Sequence, residues 1–326
     1  MLRFLTRRAL GAIVILFLLV LLTYLAVMTL PVDQAQLNCP KGCSPQQLAT
    51  VRHNMGLDKS HVEQVWDYIK GLFVGVEKGA YGFCNAPCLG YSNSRHQWVI
   101  DVILANYPAT IMLALGGSVA FLVIGVSLGM ISAWKQGSIF DTVASSVSQL
   151  GQSTQIFFVA PLAMALFVTN LHWLDKPGYT PFTEDPIGSI TGMILPWLVM
   201  SIIFWSNYTR QVRSLMIEQL SEDHIRAARA KGMSSRYVWW RYALRGAMAP
   251  IITIFGLDLG LVFSGAIITE VSFGIQGLGM LAVKSITVQD TQLELGVLLF
   301  SAAAILVFNI IVDAVYGVLD PRVRIG

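Results

Sequence analysis

The residues able to do chemistry fall into three groups. The first is four cysteines, Cys39, Cys43, Cys84 and Cys88, set out as two C-x3-C pairs. In an oxidising compartment such thiols persist as disulfides, and four cysteines allow three pairings. Each pair encloses a turn former, Pro40 and Gly42 in the first and Pro87 in the second, which favours local bridges. A cross-brace between the two pairs stays open. Zinc is the rival reading, but zinc ligand pairs usually show C-x2-C or C-x4-C spacing, and an oxidising compartment works against free thiolates. The second group is polar side chains embedded in apolar stretches: Gln149, Gln152, Gln155, Asn207, Asp258, Asn309 and Asp313. A carboxylate facing lipid costs about 3 kcal/mol or more, so an intramembrane acid lines a path or pairs with a neighbour. Asp258 is open to both readings. Gly256 and Gly260 on either side of it form a small-xxx-small step that permits close helix packing. Gln152, Gln155 and Asn207 are candidates for the same path, or for holding helices together. Asp313, near the end of its stretch, reads as a salt bridge or cap. The third group is a knot of basic residues over 226–245, with Glu222 and Asp223 ahead of it.

Other chemistries lack their residues. The five histidines, His53, His61, His96, His172 and His224, avoid the middle of every apolar stretch. There is no HExxH for a zinc protease and no GxxxxGK[ST] phosphate loop. A Ser–His dyad has no buried histidine to use. Neither an arginine ladder nor a TVGYG filter is present. The chain is expected to carry no catalytic residue, metal or cofactor of its own. A stand-alone channel or membrane enzyme is thereby disfavoured. A conduit or scaffold driven from elsewhere fits better.

Long apolar helices must position these groups. Of 326 residues, 55% are hydrophobic and 13% charged, and the mean hydropathy is +0.62. A soluble domain carries about 25% charged residues, so this chain cannot cover a water-facing globule. Its net charge of +3 is too mild to argue for nucleic acid. A bilayer core of about 30 Å needs roughly 20 helical residues. Six stretches meet or approach that: 9–30, 102–134, 142–174, 186–209, 246–269 and 295–312. The second and third exceed one span, so each is expected to include a loop or an interfacial helix. The last gains length if its helix continues to about Leu319. The first follows Arg3, Arg7 and Arg8, but is too long for a signal-peptide core and has no small-x-small site before Pro31. It reads as a retained anchor.

The positive-inside rule then sets orientation. With the N-terminus in the cytoplasm, the inside receives Arg3, Arg7, Arg8, Lys135, the segment from Arg210 to Arg245, Arg322 and Arg324. The two short outer loops hold only Lys176 and Lys284 as cations, beside Asp175, Glu184, Asp185, Glu270, Asp290 and Glu294. The expected fold is an all-α polytopic membrane protein with six transmembrane helices, both termini inside. Residues 1–30 form the N-terminus and first span. Residues 31–106 form an extracytoplasmic cap with all four cysteines. Residues 107–326 form the core, including a cytoplasmic loop at 210–248.

Two helices are legible in the cap. Ser44 and Pro45 read as N-cap and first position, with Gly56 as the close. Ser60 and Glu63 have capping-box spacing. Val62, Val65, Trp66, Ile69 and Phe73 recur as one apolar face, expected to pack over the outer mouth. The stretch 98–104 reads as a strip along the membrane surface before Pro108 starts the next span.

The basic loop has a pattern that orientation alone does not require. A helix is expected over 215–230. Ala227 and Ala228 are small enough for a partner surface to approach the backbone. Gly232 can take φ > 0 and end the helix in a sharp turn. A second helix begins near Ser234 and Ser235, and Trp239 and Trp240 return it to the interface. Ala227-Ala228-x3-Gly232 resembles the EAA loop, E-A-A-x3-G-x9-I-x-L-P, of permease subunits in binding-protein-dependent ABC importers. Arg226, Tyr242 and Arg245 depart from that pattern, whereas Leu244 fits it. The run Glu222-Asp-His-Ile-Arg-Ala-Ala-Arg-Ala-Lys-Gly-Met233 is similar to the peptide-transporting branch. So are Ile194-Leu-Pro196, Gly265-Ala-Ile-Ile-Thr-Glu270, Gly277-Leu-Gly279 and Met55-Gly-Leu-Asp-Lys59. The ending Leu319-Asp-Pro-Arg-Val-Arg324 resembles that of the first permease of dipeptide, oligopeptide and nickel systems. The likeness covers nearly the whole chain and is weakest at 31–54 and 75–95.

That resemblance implies a type I ABC importer permease fold in the bacterial inner membrane. It implies a second homologous permease, one or two cytoplasmic ABC ATPases holding ATP and Mg, and an extracytoplasmic binding protein. The cargo implied is short peptides, with nickel or another small solute as the alternative. The ATPase coupling loop would comprise Glu222, Asp223, Arg226, Ala227, Ala228, Arg229, Lys231 and Gly232.

Overall fold

The computed structural model describes residues 2–29, 34–37, 44–77 and 81–319. Cys39, Cys43, Arg322 and Arg324, which carried expectations above, lie outside the described residues. The chain opens with α1 (Leu2–Thr29) and a single turn, α2 (Gln34–Leu37). The cap follows: α3 (Pro45–Met55), α4 (His61–Val74) and two small hairpins, β1 (Val76–Glu77) with β2 (Phe83–Cys84) and β3 (Tyr91–Ser92) with β4 (Gln97–Trp98). The core comprises α5 (Val99–Trp134), α6 (Ile139–Ser153), α7 (Ile156–Ala163) with a π-helical extension Met164–Asn170, and α8 (Pro186–Ser221). It continues with α9 (Asp223–Ala230), α10 (Ser235–Val238), a π-helical link Trp239–Ala243, α11 (Leu244–Phe263), α12 (Ile267–Phe273), α13 (Leu278–Thr287) and α14 (Thr291–Leu319).

Both cap helices start as their sequence predicts. Ser44 and Ser60 each accept the N3 backbone N–H, and the side chains of Gln47 and Glu63 return the bond. Gly56 closes α3 in the left-handed conformation. His53 Nδ1 lies 2.8 Å from Asp58 Oδ2, and this bond holds the Asp58 carboxyl below the usual carboxylate range. Cys84 and Cys88 are bridged, with Cα atoms 5.6 Å apart, so the second pair forms the local disulfide its spacing favoured. The apolar row of α4 behaves differently from expectation. Val62, Trp66 and Phe73 face outward, while Gln64, Tyr68 and Gly71 on the other side are buried. The row was read as a packing face because periodicity identifies an apolar stripe without identifying what covers it.

Five described helices are long and apolar enough to cross a membrane, and two bent pairs bring the number to as many as seven. The stretch 142–174 is one such pair. α6 and α7 meet at 102°, where Thr154 and Gln155 are extended. By contrast, 102–134 contains no loop. α5 runs unbroken for 36 residues, about 54 Å at 1.5 Å per residue, and passes through Pro108. The stretch expected on the membrane surface is its first turns. Val99, Val102 and Ile103 are buried there against Leu278, Leu281, Leu293 and Val297, which clamp them in protein. At the other end of the chain α14 reaches Leu319, as the long reading of the last stretch requires.

The main seam joins α5 to α8. Its close approach is set by glycines. A Cβ placed on Gly125 would lie 2.5 Å from Tyr208 Cβ, and one on Gly129 would lie 2.7 Å from Val212 Cβ and 2.8 Å from the Thr209 carbonyl. Gly116 and Gly117 likewise make room for Trp197 and Met200. Between apolar helices in lipid, such small-residue faces are what permit dense van der Waals packing. On α11, Gly256 abuts Val312 and Gly260 abuts Asn309 of α14, so the small-xxx-small step at 256 and 260 does serve helix packing.

Candidate functional site

The basic loop is built as a short projecting helix. The expected single helix over 215–230 is divided. Glu222 is extended (φ −65°, ψ 149°), so α8 stops at Ser221 and α9 starts at Asp223. Glu222 then accepts N–H bonds from Ile225 and Arg226 through its carbonyl. Asp223 in the first turn and Arg229 in the last each complement the helix dipole. Arg226 also lies 3.4 Å from Asp223 on the surface. At the far end Gly232 takes φ 79°. The N–H groups of Lys231, Gly232 and Met233 cap the carbonyls of Ala227, Arg229 and Ala228. Ser234 then caps α10 through the Tyr237 N–H, as the second helix start predicts.

The two faces of α9 divide the expected loop residues. Ile225 and Ala228 are buried in a cluster with Val212, Met216, Val238, Trp239, Ala243 and Ala247. Ala228 thus lets α9 lie close to its own chain. Arg226, Ala227, Arg229, Lys231 and Gly232 face out, and they form the accessible surface together with Glu222 and Asp223. Beyond them Tyr237, Arg241, Tyr242, Arg245 and Gly246 line an open groove of about 540 Å³. Trp239 is buried and edge-on to Trp134, with ring centres 4.8 Å apart, whereas Trp240 is exposed.

Both stems of this loop are anchored. A Cβ on Gly246 would lie 2.0 Å from Gln219 Oε1, so the start of α11 sits directly on the end of α8. Further back, Asp141 is 5% exposed and fully engaged. Its Oδ1 accepts from Arg213 Nε at 2.6 Å and from Ser132 Oγ at 2.5 Å, and its Oδ2 accepts from Arg213 Nη2 and the Gly137 N–H, both at 2.9 Å. One carboxylate therefore joins the end of α5, the start of α6 and the C-terminal half of α8. Ser138, three residues ahead of Asp141, accepts the Asp141 N–H through Oγ and caps α6. Nothing local marked Arg213 as the partner among so many arginines.

The intramembrane polar candidates separate into two pairs. Tyr208 Oη donates to Asp258 Oδ2 at 2.8 Å, joining α8 to α11. Asp258 lies two residues from both Gly256 and Gly260, roughly 200° around the helix. The glycines therefore face α14 while the carboxylate faces α8. Phe121 packs on Tyr208 at 5.3 Å between ring centres. One position earlier on α8, Asn207 Oδ1 accepts from Gln152 Nε2 at 2.7 Å and from Arg210 Nη2 at 3.3 Å. Gln155 stands apart. It is exposed at the bend between α6 and α7, and its side chain makes no cap there.

Two acids counted with the outer loops, Glu270 and Asp290, are buried ties between elements. Glu270 is 0% exposed. It accepts from Thr110 Oγ1 at 2.8 Å and from the Met280 N–H at 3.0 Å, binding the bent pair α12–α13 to α5. Thr110 Oγ1 also accepts the Leu278 N–H. Asp290 accepts from Ser92 Oγ, Ser94 Oγ and the Ser94 N–H through Oδ2, and from the Leu293 N–H through Oδ1. It thereby pins the cap hairpin to the start of α14. The glycines flanking Glu270 in sequence, Gly265 and Gly277, were the available signal of close packing. Among the described residues no three His, Cys, Asp or Glu side chains converge as a metal site.

Comparison with known proteins agrees with this architecture. The N-terminal description of binding-protein-dependent transport system membrane components matches residues 1–114, and the binding-protein-dependent transport system inner membrane component matches residues 125–325. A protein of Brucella abortus (strain 2308) named as a peptide transport system permease is 33% identical over 318 residues, covering 98% of each chain. The dipeptide transport system permease protein DppB of Escherichia coli (strain K12) is 32% identical over 351 residues, covering 99% of each. A chain of the MetNI methionine ABC transporter, solved in inward-facing conformations, superposes with a TM-score of 0.52. It shares 13% identity, over 68% of this chain and 97% of that one, and so shows the fold. With a projecting basic loop, glycine-packed apolar helices and matches running from end to end, this multi-pass membrane protein belongs to the binding-protein-dependent transport system inner membrane components.

Proposed function

We propose that the chain is one of two permease subunits in an ATP-driven importer of short peptides across the bacterial inner membrane. Six spans follow if α6–α7 counts as one bent span and α12–α13 as a re-entrant pair, the others being α1, α5, α8, α10–α11 and α14. Both termini and α9 then lie in the cytoplasm and the cap lies outside, as the distribution of arginine and lysine favours.

The observation that carries this reading is the construction of α9. It is a rigid knob, gripped from behind by Ile225 and Ala228 and offering Arg226, Ala227, Arg229 and Lys231 outward. A separate ATPase subunit holding ATP and Mg would seat this knob in a cleft, and its arginines would meet acidic rims there. Because α9 is continuous with the ends of α8 and α11 through Gln219, Gly246 and the buried cluster, a push on it moves the α8–α11 pair as one body. Closure of two ATPases would rock two such permeases from inward-open to outward-open, and a binding protein would deliver substrate at the outer mouth. The peptide cargo rests on the names of relatives that share a third of their sequence over nearly the full length.

The test is reconstitution of the complete complex in proteoliposomes, with an Ala227→Cys variant for crosslinking. The expected result is ATP-dependent uptake of labelled dipeptides and tripeptides and a crosslink from position 227 to the ATPase. Solute movement by the chain alone, or crosslinks that never reach an ATP-hydrolysing subunit, would sink the reading. Uptake of nickel in place of peptides would retain the transporter and replace its cargo.

A further inference from the structure

We propose that α4 is an interfacial helix whose outward row, Val62, Trp66 and Phe73, is seated in the lipid of the membrane face next to the cap. Three observations carry this. The first is the division of the helix surface. At 100° per residue, the three residues fall within an arc of about 40°. Val62, Trp66 and Phe73 are 79%, 65% and 76% exposed. On one side of that arc come Lys70, Glu63 and Asp67, the helix's charged residues. On the other come Leu72, Tyr68 and Gln64, which turn inward. A helix lying in water against a protein needs two faces. This one has three, an apolar, a charged and a packed face, which is what a helix at a lipid–water boundary against a bundle requires.

The second observation is depth. Tyr68 forms one buried cluster with Val20 of α1 and Leu299 of α14, and Leu19, Ile69 and Leu72 pack on it. Val20 lies inside the candidate span Thr6–Thr23, and Leu299 lies inside Thr291–Val312. Leu299 is four residues into the last uncharged stretch, about 6 Å along the helix axis. The packed face of α4 therefore touches two helices at a level where their other faces meet lipid. A water-borne binding protein does not reach that level, and the charged residues Glu63, Asp67 and Lys70 that flank the row on one side mark a lipid–water boundary. The exposed row is therefore assigned to acyl chains, with a second permease chain as the outcome that would overturn the assignment.

The third observation is that the patch extends beyond the helix. Val74 and Phe83 are also exposed, and the Phe83 ring lies against Gly75, where an added Cβ would come within 3.0 Å of it. The β1–β2 hairpin thus adds a third aromatic ring, Phe83, beside Trp66 and Phe73. Trp and other aromatic rings favour this boundary, where an apolar body meets a wet surface.

The proposal rests on α1 and α14 spanning the membrane, and the experiment reads both claims separately. The full chain is placed in nanodiscs of phosphatidylethanolamine and phosphatidylglycerol doped with a phosphatidylcholine that carries a diazirine on its acyl chain. After illumination, lipid adducts are mapped by mass spectrometry. Adducts on the peptide spanning 60–74, alongside those on α1, are expected. A Trp66→Glu/Phe73→Glu variant alters only exposed side chains. It should lower the α4 adducts about tenfold or more, given the cost of a carboxylate at membrane depth, and leave α1 labelling unchanged. Adducts on α1 but none on 60–74 would overturn the proposal, as would capture of α4 by another protein chain in the assembled complex. Loss of labelling from α1 itself would overturn the spanning assignment and this proposal with it.

Discussion

Arg213 grips Asp141 at two points, Nε to Oδ1 at 2.6 Å and Nη2 to Oδ2 at 2.9 Å, across 72 residues of sequence. The planar guanidinium fork matches the carboxylate in a way an ammonium cannot. Arg213→Ala leaves Asp141 nearly buried with only Ser132 and the Gly137 N–H as donors. A loss of about 2–4 kcal/mol is expected, towards the lower end because Arg213 is partly exposed. Arg213→Lys should recover less than half of it. Thermal unfolding of the purified protein in detergent measures both. An unchanged midpoint for Arg213→Ala would remove this ion pair from the list of structural ties.

Gly232 has open space around its Cα, yet its φ of 79° disfavours any side chain. Gly232→Val should therefore act through backbone strain of about 1–2 kcal/mol and leave steric packing undisturbed. The end of α9 would re-form with a different exit angle. Membrane insertion and assembly should be retained, while ATP hydrolysis continues without peptide uptake. Normal uptake by this variant would count against α9 as the coupling element.

Tyr208 and Asp258 share one hydrogen bond between α8 and α11. Tyr208→Phe and Asp258→Asn should each destabilise the chain by about 1–3 kcal/mol. Their double variant should cost less than the sum, by about 1 kcal/mol or more. A strictly additive cycle, with uptake lost only on changing Asp258, would instead assign the carboxylate to the translocation path.

Gly125 and Gly11 make a matched pair of tests. Both lie in apolar helices, but a Cβ on Gly125 meets Tyr208 at 2.5 Å, whereas one on Gly11 meets nothing within 4 Å. Gly125→Leu should force α5 from α8 at a cost of about 1–3 kcal/mol or more, lowering the yield of folded protein. Gly11→Leu should be neutral in the isolated chain. Equal behaviour of the two would show that the α5–α8 seam does not depend on close approach.

The Cys84–Cys88 bridge predicts a labelling pattern. In a Cys39→Ser/Cys43→Ser background, a thiol-reactive maleimide should leave the denatured protein unmodified until a reductant is added, and then add two labels. Labelling before reduction would contradict the bridge.

The apolar stretches, the N-cap at Ser44, the capping box at Ser60 and Glu63 and the turn at Gly232 were legible because each depends on neighbours in sequence. A serine with an acid or amide three residues on, or a glycine after the last helical turn, acts within one turn of helix. Illegible were the features that need a partner from elsewhere. Arg213 looked like any inside arginine until Asp141 was beside it. Glu270 and Asp290 looked like loop acids until Thr110, Ser92 and Ser94 arrived to donate to them. The outward row of α4 was visible as a stripe and misread in direction, because a stripe is equally apolar whether protein or lipid covers it.

Sequence alone determined that the chain is membrane-bound, where the two cap helices start, and that a patterned basic loop interrupts the apolar stretches. Those properties follow from the cost of leaving apolar surface and backbone groups unmatched to their local solvent. Tertiary structure decided which polar groups became ties. It set Asp258 against Tyr208, divided Ala227 from Ala228, and buried Asp141, Glu270 and Asp290. A buried charge is tolerated only where donors from distant segments converge on it, and that convergence exists only once the helices are packed.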